Sequence, residues 1–452
     1  MSFDLTRADT VCALATAPGP SALSVVRVSG RESDAILARV FRARSGRAPR
    51  PFVATLGVVV DPTDASAVVD ECVCVRFPEG KSYTGEASFE LSLHGGMSRA
   101  RATLDALVAA GCRLAEPGEF TLRSVLTGKR DLLAAEAVVD VVHARTDAAA
   151  RVAVRAVRGE LGARIERARA SLVSVLAELE ARLDFPDEEL GDASRASLSR
   201  TLDDARGVLA ALVAGGRRGR RLVEGARVVL AGPPNAGKST LFNALVDEER
   251  ALVHETAGTT RDVLEGERAI AGVPVVFVDV AGLREGEALD PVERLGIARA
   301  RSEIARADLV LALHDVTDPA TPTPVEATDT PVIVVFTKAD RRGETSRSIG
   351  DGVLVSAHTG FGVDALTDRI ARALAVDFAR DEALLTRQRQ IDEVARAEDA
   401  VVRATFALDA GHAHEAVASE LRAAGRALDR VVGKDLDEDV LDEIFRRFCI
   451  GK

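Results

Sequence analysis

The chain has 452 residues, enough for about three domains, and its 47% hydrophobic content excludes a globally disordered protein. A formal net charge of −11 argues against nonspecific adhesion of the whole chain to nucleic acid, while a local basic site stays open. No apolar run is long enough to span a membrane. The five cysteines, at positions 12, 72, 74, 112 and 449, have no metal-ligand spacing, and the start of the chain has no secretory pattern. The expectation is a cytoplasmic protein with reduced thiols.

Residues 1–127 read as an α+β domain. Val25–Val28 and Cys72–Val75 are strand-like, and Phe89–Leu93 alternates apolar with polar as a half-buried strand does. On a strand, Cys72 and Cys74 face one way, as small buried groups. Ser98–Ala110 has helical spacing and is closed by Gly111. The Pro, Gly and Arg cluster from Arg42 to Pro51 predicts a surface loop.

Residues 128–222 change to Ala, Leu, Val, Arg and Glu with few breakers, the first part of a helical domain. Asp184-Phe185-Pro186-Asp187-Glu188-Glu189 interrupts it and caps the next helix. The basic run Arg217-Arg218-Gly219-Arg220-Arg221 is either a solvated linker or a phosphate contact. Residues 223–377 alternate strands and helices, with strands at Val228–Ala231, Val275–Val278, Leu309–Leu313, Val332–Phe336 and Val353–Val355. This pattern predicts a doubly wound P-loop domain. Thr317–Pro331 reads as loop, and helical composition returns over 378–452. The simplest architecture inserts the α/β domain into one helical domain built from both flanks.

The chemistry centres on Gly232-Pro233-Pro234-Asn235-Ala236-Gly237-Lys238-Ser239-Thr240, a G-x-x-x-x-G-K-S phosphate loop between a buried strand and a helix start. Its backbone N–H groups make an anion site, Lys238 reaches the β/γ-phosphates and the Ser239 hydroxyl can ligate Mg²⁺. Asp279-Val280-Ala281-Gly282 fits D-x-x-G at a strand end, approaching Mg²⁺ and the γ-phosphate. In Gly258-Thr259-Thr260-Arg261-Asp262 the Thr260 hydroxyl is the expected second Mg²⁺ ligand. Thr337-Lys338-Ala339-Asp340 follows a further apolar strand; Asp340 can accept both N1–H and the N2 amine of guanine, which adenine lacks, so GTP is favoured over ATP. Thr337 replaces the usual Asn. Ser356-Ala357-His358 ends the last strand, where a backbone N–H can meet the guanine oxygen. Leu283, after Gly282, cannot orient water as a glutamine does, which leaves Asn235 and Glu293 as candidates to supply what hydrolysis needs.

Further motifs flank this domain: Thr16-Ala17-Pro18-Gly19, Arg27-Val28-Ser29-Gly30, Tyr83-Thr84-Gly85-Glu86, His94-Gly95-Gly96, Pro117-Gly118-Glu119-Phe120-Thr121, Asp184-Phe185-Pro186, Gly282-Leu283-Arg284-Glu285, Val292-Glu293-Arg294 and the terminal Phe448-Cys449-Ile450-Gly451-Lys452. With the phosphate loop, and over the whole chain, they resemble the MnmE (TrmE) family of tRNA-modification GTPases.

The resemblance implies an N-terminal folate-binding and dimerisation domain (1–127), a helical domain split between 128–222 and 378–452, and an inserted G domain (223–377). It implies a nucleotide site of Asn235, Ala236, Gly237, Lys238, Ser239 and Thr240, then His254, Glu255, Thr256, Ala257, Gly258, Thr259 and Thr260. Asp279, Val280, Ala281, Gly282, Thr337, Lys338, Ala339, Asp340, Ser356, Ala357 and His358 complete it. Asn235 with His254, Thr256 and Thr259 would hold a K⁺ ion in the role of an arginine finger, and Glu293 would orient the attacking water. Without the resemblance, Glu293 reads as an ordinary exposed helix residue.

Arg27, Glu90, Lys129 and Lys452 map to a site for 5-formyl- or 5,10-methylene-tetrahydrofolate. The alternative reading of Arg27 and Glu90 is a cross-strand ion pair. Cys449 is either a small buried hydrophobe or a thiolate acting beside the folate, which would add it to Lys238 and Glu293 as catalytic residues. The function implied is K⁺-dependent GTP hydrolysis by a homodimer. With an MnmG-type FAD- and NADH-using partner, in a heterotetramer or larger, it adds a carboxymethylaminomethyl-type group to C5 of the wobble uridine of certain tRNAs. A non-catalytic GTP-dependent switch in ribosome or RNA assembly is the alternative, and a folate scaffold with a vestigial G domain a third. The intact Lys238 argues against the last, and the terminal thiol and amine against the second.

Overall fold

The structure is a computed structural model that describes residues 9–64, 66–184, 192–246, 264–280, 301–318, 330–342, 348–374, 384–435, 438–446, 448, 450 and 451. The chain is multidomain α/β and forms two compact units: Met1–Val139 with Val157–Val173 and Leu421–Lys452, and Asp140–Ala156 with Ser174–Glu420.

The first unit is built on a seven-stranded sheet. Its strands are β1 (Val11–Leu14), β2 (Leu23–Ser29), β3 (Phe41–Ala43), β4 (Thr55–Val60), β5 (Val68–Phe77), β6 (Ser88–His94) and β7 (Arg113–Leu114), in the order β3-β4-β5-β6-β2-β1-β7. All pairs are antiparallel except β1 with β7. Strand alternation separates two faces. Val26, Val28, Phe89, Leu91, Cys72 and Cys74 pack under the helices Ser33–Val40 and Met97–Ala109. Burial pushes the Cys72 and Cys74 thiols up to about 12, so both behave as apolar filler. Between these core positions, Arg27 and Glu90 point to the opposite face.

Near the chain's end, the helix Glu438–Phe445 lays Leu441, Phe445 and then Phe448 against Leu122, Leu132 and Ala135. The expected surface loop is present from Arg44 to Arg50 and is mostly exposed; its first two residues, Arg42 and Ala43, belong to the edge strand β3, and Pro51 meets Arg76 by an isolated bridge.

The second unit carries β8 (Ala226–Ala231), β9 (Leu264–Ile270), β10 (Val273–Asp279), β11 (Leu309–Asp315), β12 (Val332–Thr337), β13 (Ser348–Ile349) and β14 (Gly352–Leu354), in the order β13-β14-β12-β11-β8-β10-β9. The five central strands are parallel, and β9 and β13 add antiparallel edges. Val228 and Leu230 face one core, shared with the helices Lys238–Val246 and Val363–Ala373. Val229 and Ala231 face another, which includes Ile304. Both faces are therefore covered, as a parallel sheet requires.

The helical run of the sequence resolves into Leu132–Val142, Asp147–Val157, Glu160–Asp184 and Asp192–Glu224, followed later by Gln388–Asp409. The basic run Arg217–Arg221, read as a solvated linker or a phosphate contact, lies in the last turns of Asp192–Glu224. A Cβ on Gly219 would lie 2.1 Å from the Leu385 carbonyl oxygen, so the glycine there permits close packing. Arg221 donates to Asp308 and to the Leu374 carbonyl, and Arg220 to Gln388. Two of the four arginines in the run thus fasten the helix end to its own unit.

Candidate functional site

The buried strand β8 delivers the chain to the phosphate loop, and the helix Lys238–Val246 takes it away. Asn235 has a φ of 66°, a left-handed conformation that asparagine tolerates better than most residues, and its side chain is exposed. Lys238 is buried, and its ammonium donates to the carbonyls of Gly232 (3.1 Å) and Pro233 (3.0 Å), folded over the loop that it would share with phosphate oxygens. Burial lowers its pKa, against the pull of Asp279. The Ser239 hydroxyl donates to the Asp279 carboxylate at 2.6 Å, so the end of β10 meets the start of the helix. A hydroxyl and a carboxylate there are hard oxygen donors, the set that suits Mg²⁺. Thr240 is exposed on the next position, and Val280 is buried in the sheet's second core.

Thr337 closes the loop from the other side. Its hydroxyl is 2.7 Å from the Ala236 carbonyl oxygen and 3.1 Å from that of His314. Lys338 has a φ of 60° and pairs with Asp315 at 2.6 Å. Burial alone would raise the Asp315 pKa, but Lys338 and the Thr317 donors together hold it below the usual carboxylate range. Ala339 is buried, its N–H bonded to the Val355 carbonyl. Asp340 is exposed and accepts the Ser356 hydroxyl at 2.6 Å, which lowers its pKa and fixes the carboxylate's direction. The Ser356 N–H is already bonded to the Phe361 carbonyl, while Ala357 is half-buried and His358 exposed. Asp315 and the Ser356 side chain escaped the motif reading. Asp315 ends the strand beside β8, and that position at a strand's carboxyl end was the available signal.

His254, Glu255, Thr256, Ala257, Gly258, Thr259, Thr260, Ala281, Gly282 and Glu293 lie outside the described residues, as do Cys449 and Lys452.

In the first unit, Arg27 and Glu90 are register partners joined by Nε–H···Oε1 at 2.8 Å, the cross-strand ion pair of the simpler reading. The Arg27 guanidinium also lies 4.8 Å from the Tyr83 ring centroid and 5.7 Å from that of Phe120. Arg130 covers Tyr83 at 4.2 Å. Lys129 donates to the Gly80 carbonyl at 2.9 Å and is exposed. Gly451 reaches this face, its carbonyl 3.4 Å from Arg27 Nη1.

A family profile described as the GTP-binding protein TrmE N-terminus matches residues 10–129, and one described as the MnmE helical domain matches residues 132–449. A protein of Symbiobacterium thermophilum described as tRNA modification GTPase MnmE is 41% identical over 98% of this chain and 99% of its own length. One of Methylobacterium radiotolerans with the same description is 42% identical over 98% and 99%. Among solved structures, the G domain of the T. maritima FeoB iron transporter matches at 26% identity over 33% of this chain and 98% of its own, with a TM-score of 0.25, too loose a likeness to carry a fold argument.

Proposed function

The chain belongs to the MnmE family of tRNA-modification GTPases, and from that premise we propose that it is a K⁺-dependent GTP hydrolase acting on the wobble uridine of certain tRNAs. Its GTP-dependent role in tRNA modification follows from membership itself; the cation, the folate and the group attached belong to this proposal. The observation that carries the hydrolase reading is the Ser239–Asp279 contact, which joins the phosphate loop to the D-x-x-G strand end.

In this reading the G domain (223–377) is doubly wound and inserted between the helical segments 128–222 and 378–452, with the folate-binding and dimerisation domain at 1–127. Lys238 moves from the loop carbonyls to the β/γ-phosphates, Ser239 and Thr260 hold Mg²⁺, and Asp340 reads the guanine edge. Asn235, exposed on the loop's rim, contributes an amide oxygen to K⁺ with His254, Thr256 and Thr259. Bound there, K⁺ supplies positive charge where the transition state gains negative charge. Glu293 orients water in place of the glutamine that Leu283 cannot replace. Arg27, Glu90, Lys129 and Lys452 hold reduced folate, the source of a one-carbon unit. A second copy of the chain and a flavin- and NADH-using MnmG-type partner complete the reaction.

The test is GTP turnover by the full chain in K⁺ and in Na⁺. K⁺ is expected to win by about a hundredfold, the size of one preorganised charge-stabilising contact. Equal rates would overturn the K⁺ mechanism.

A further inference from the structure

From Ala35 to Val60 the chain contains the arginines 39, 42, 44, 47 and 50 and not one acidic residue, within a protein of net charge −11. Arg44, Arg47 and Arg50 line a cavity of about 660 Å³ between the end of β3 and the start of β4, with Val53, Thr55 and Leu56 on its wall. All three guanidinium groups are exposed, and none has an ion pair or hydrogen bond among the described residues. Arg39 and Arg42, by contrast, are tied to the Ala110 and Ala38 carbonyls. Phe52, next in the chain to the cavity wall, is 58% exposed and held at a φ of 60°. A large residue in that conformation is a rare and strained arrangement.

We propose that this cup is an RNA-backbone contact, through which the first unit grips the nucleic acid. The proposal rests on the reading that the chain acts on tRNA, and names a surface for it. Arginine forks match phosphate oxygens bidentately, and three such forks lining one concavity can meet successive phosphates of a strand. The cup is concave and its cations are arginines, which favours a strand of phosphates over a flat anionic membrane surface. Since the chain as a whole repels polyanions, an acid-free arc is where attraction can concentrate.

The experiment compares the full chain with the triple variant Arg44→Gln, Arg47→Gln, Arg50→Gln, using transcribed tRNA and poly(U) over a range of salt. The variant is expected to bind both about tenfold or more weakly, with the log–log salt slope lowered by about two to three, since each lost phosphate contact removes about 0.7–0.9. GTP hydrolysis is expected to be unchanged, which also reports an intact fold. The triple Lys variant is expected to retain most of the salt slope. Unchanged tRNA affinity and slope would overturn the cup and leave the tRNA reading standing. Loss of poly(U) binding in the variant, with no tRNA binding even by the parent chain, would keep the cup and sink the tRNA reading. Absence of all RNA binding by the parent chain overturns both. Unchanged RNA binding with lost retention on phosphatidylserine vesicles, or with an altered sedimentation coefficient, would assign the cup to a membrane or to a second copy.

Discussion

Thr337 stands where guanine-specific loops usually carry asparagine, and its geometry explains how one hydroxyl serves. β12 ends beside β11, so the side chain reaches the His314 carbonyl and, 2.7 Å away, that of Ala236 in the phosphate loop. The residue is buried, so removing the hydroxyl leaves the Ala236 carbonyl without this partner and out of reach of water. Such an orphaned group costs about 1–3 kcal/mol. Thr337→Val is therefore expected to weaken GTP binding by about tenfold, while Thr337→Ser, which keeps the hydroxyl, stays within a few-fold of the parent. Calorimetric titration with GTP decides it, and a Val variant with parental affinity would show that the loop is held by other contacts. From the sequence alone, Thr337 was only a departure from a pattern. That its one O–H lies within reach of two carbonyls, the nearer of them Ala236's, depends on the neighbouring strand and loop, which no local spacing encodes. Lys238 and Ser239, in contrast, were legible because strand, loop and helix are contiguous.

The helix Glu119–Leu126 begins on a charge that is 4% exposed. Burial would raise the Glu119 pKa, but Arg113, the Glu116 N–H and Arg123 outweigh it and hold it below its ordinary value. Asp9 follows the same logic: burial raises, Arg113 and Arg123 lower by more. Both carboxylates thus have folded pKa values below their unfolded ones, about 4.3 for Glu and 3.9 for Asp. Their contribution to stability is complete above those values and is lost as pH falls through the depressed folded ones. Glu119→Gln is expected to destabilise the protein by roughly 3 kcal/mol at neutral pH, since it leaves Arg113 and Arg123 under-paired. The gap between variant and parent then shrinks as pH falls below about 4. Urea midpoints at pH 7 and pH 3 test this, and a gap that does not narrow would assign the loss to packing.

The elements themselves show where sequence reading reaches. Apolar runs such as Val228–Ala231 and Leu309–Leu313 announced the parallel strands, because both of their faces are covered. The edge strand Leu264–Ile270 reads Leu-Glu-Gly-Glu-Arg-Ala-Ile and was not anticipated. Its charges suit an edge: Glu265 pairs with Arg227, and Glu267 with Arg145. The three-residue β3 is too short for a period-two signal to emerge.

For the molecule as a whole, the question is whether the last residues do chemistry or only dock. Gly451 has a φ of 91°, and a Cβ there would lie 2.3 Å from the Leu14 carbonyl oxygen, so the tail passes β1 by backbone alone. Its carbonyl faces Arg27, on the face of the sheet proposed to hold folate. Cys449 lies outside the described residues, but its neighbours Phe448 and Ile450 are described, the first buried and the second 60% exposed. In the proposed reaction Cys449 would be the nucleophile or acid/base toward the uridine or the folate carbon. The test uses a reconstituted reaction with partner, tRNA, GTP, K⁺ and folate. Cys449→Ser is expected to abolish modified uridine while leaving GTP turnover and folate binding intact, the split expected when a reacting group is lost but its site is kept. Gly451→Ala, which forces the tail off β1, is expected to weaken folate binding and modification together. Modified uridine at the parental rate in the Ser variant would leave Cys449 no chemical part. Loss in both variants with folate binding equally weakened would make the tail a docking element whose cysteine only helps to hold it.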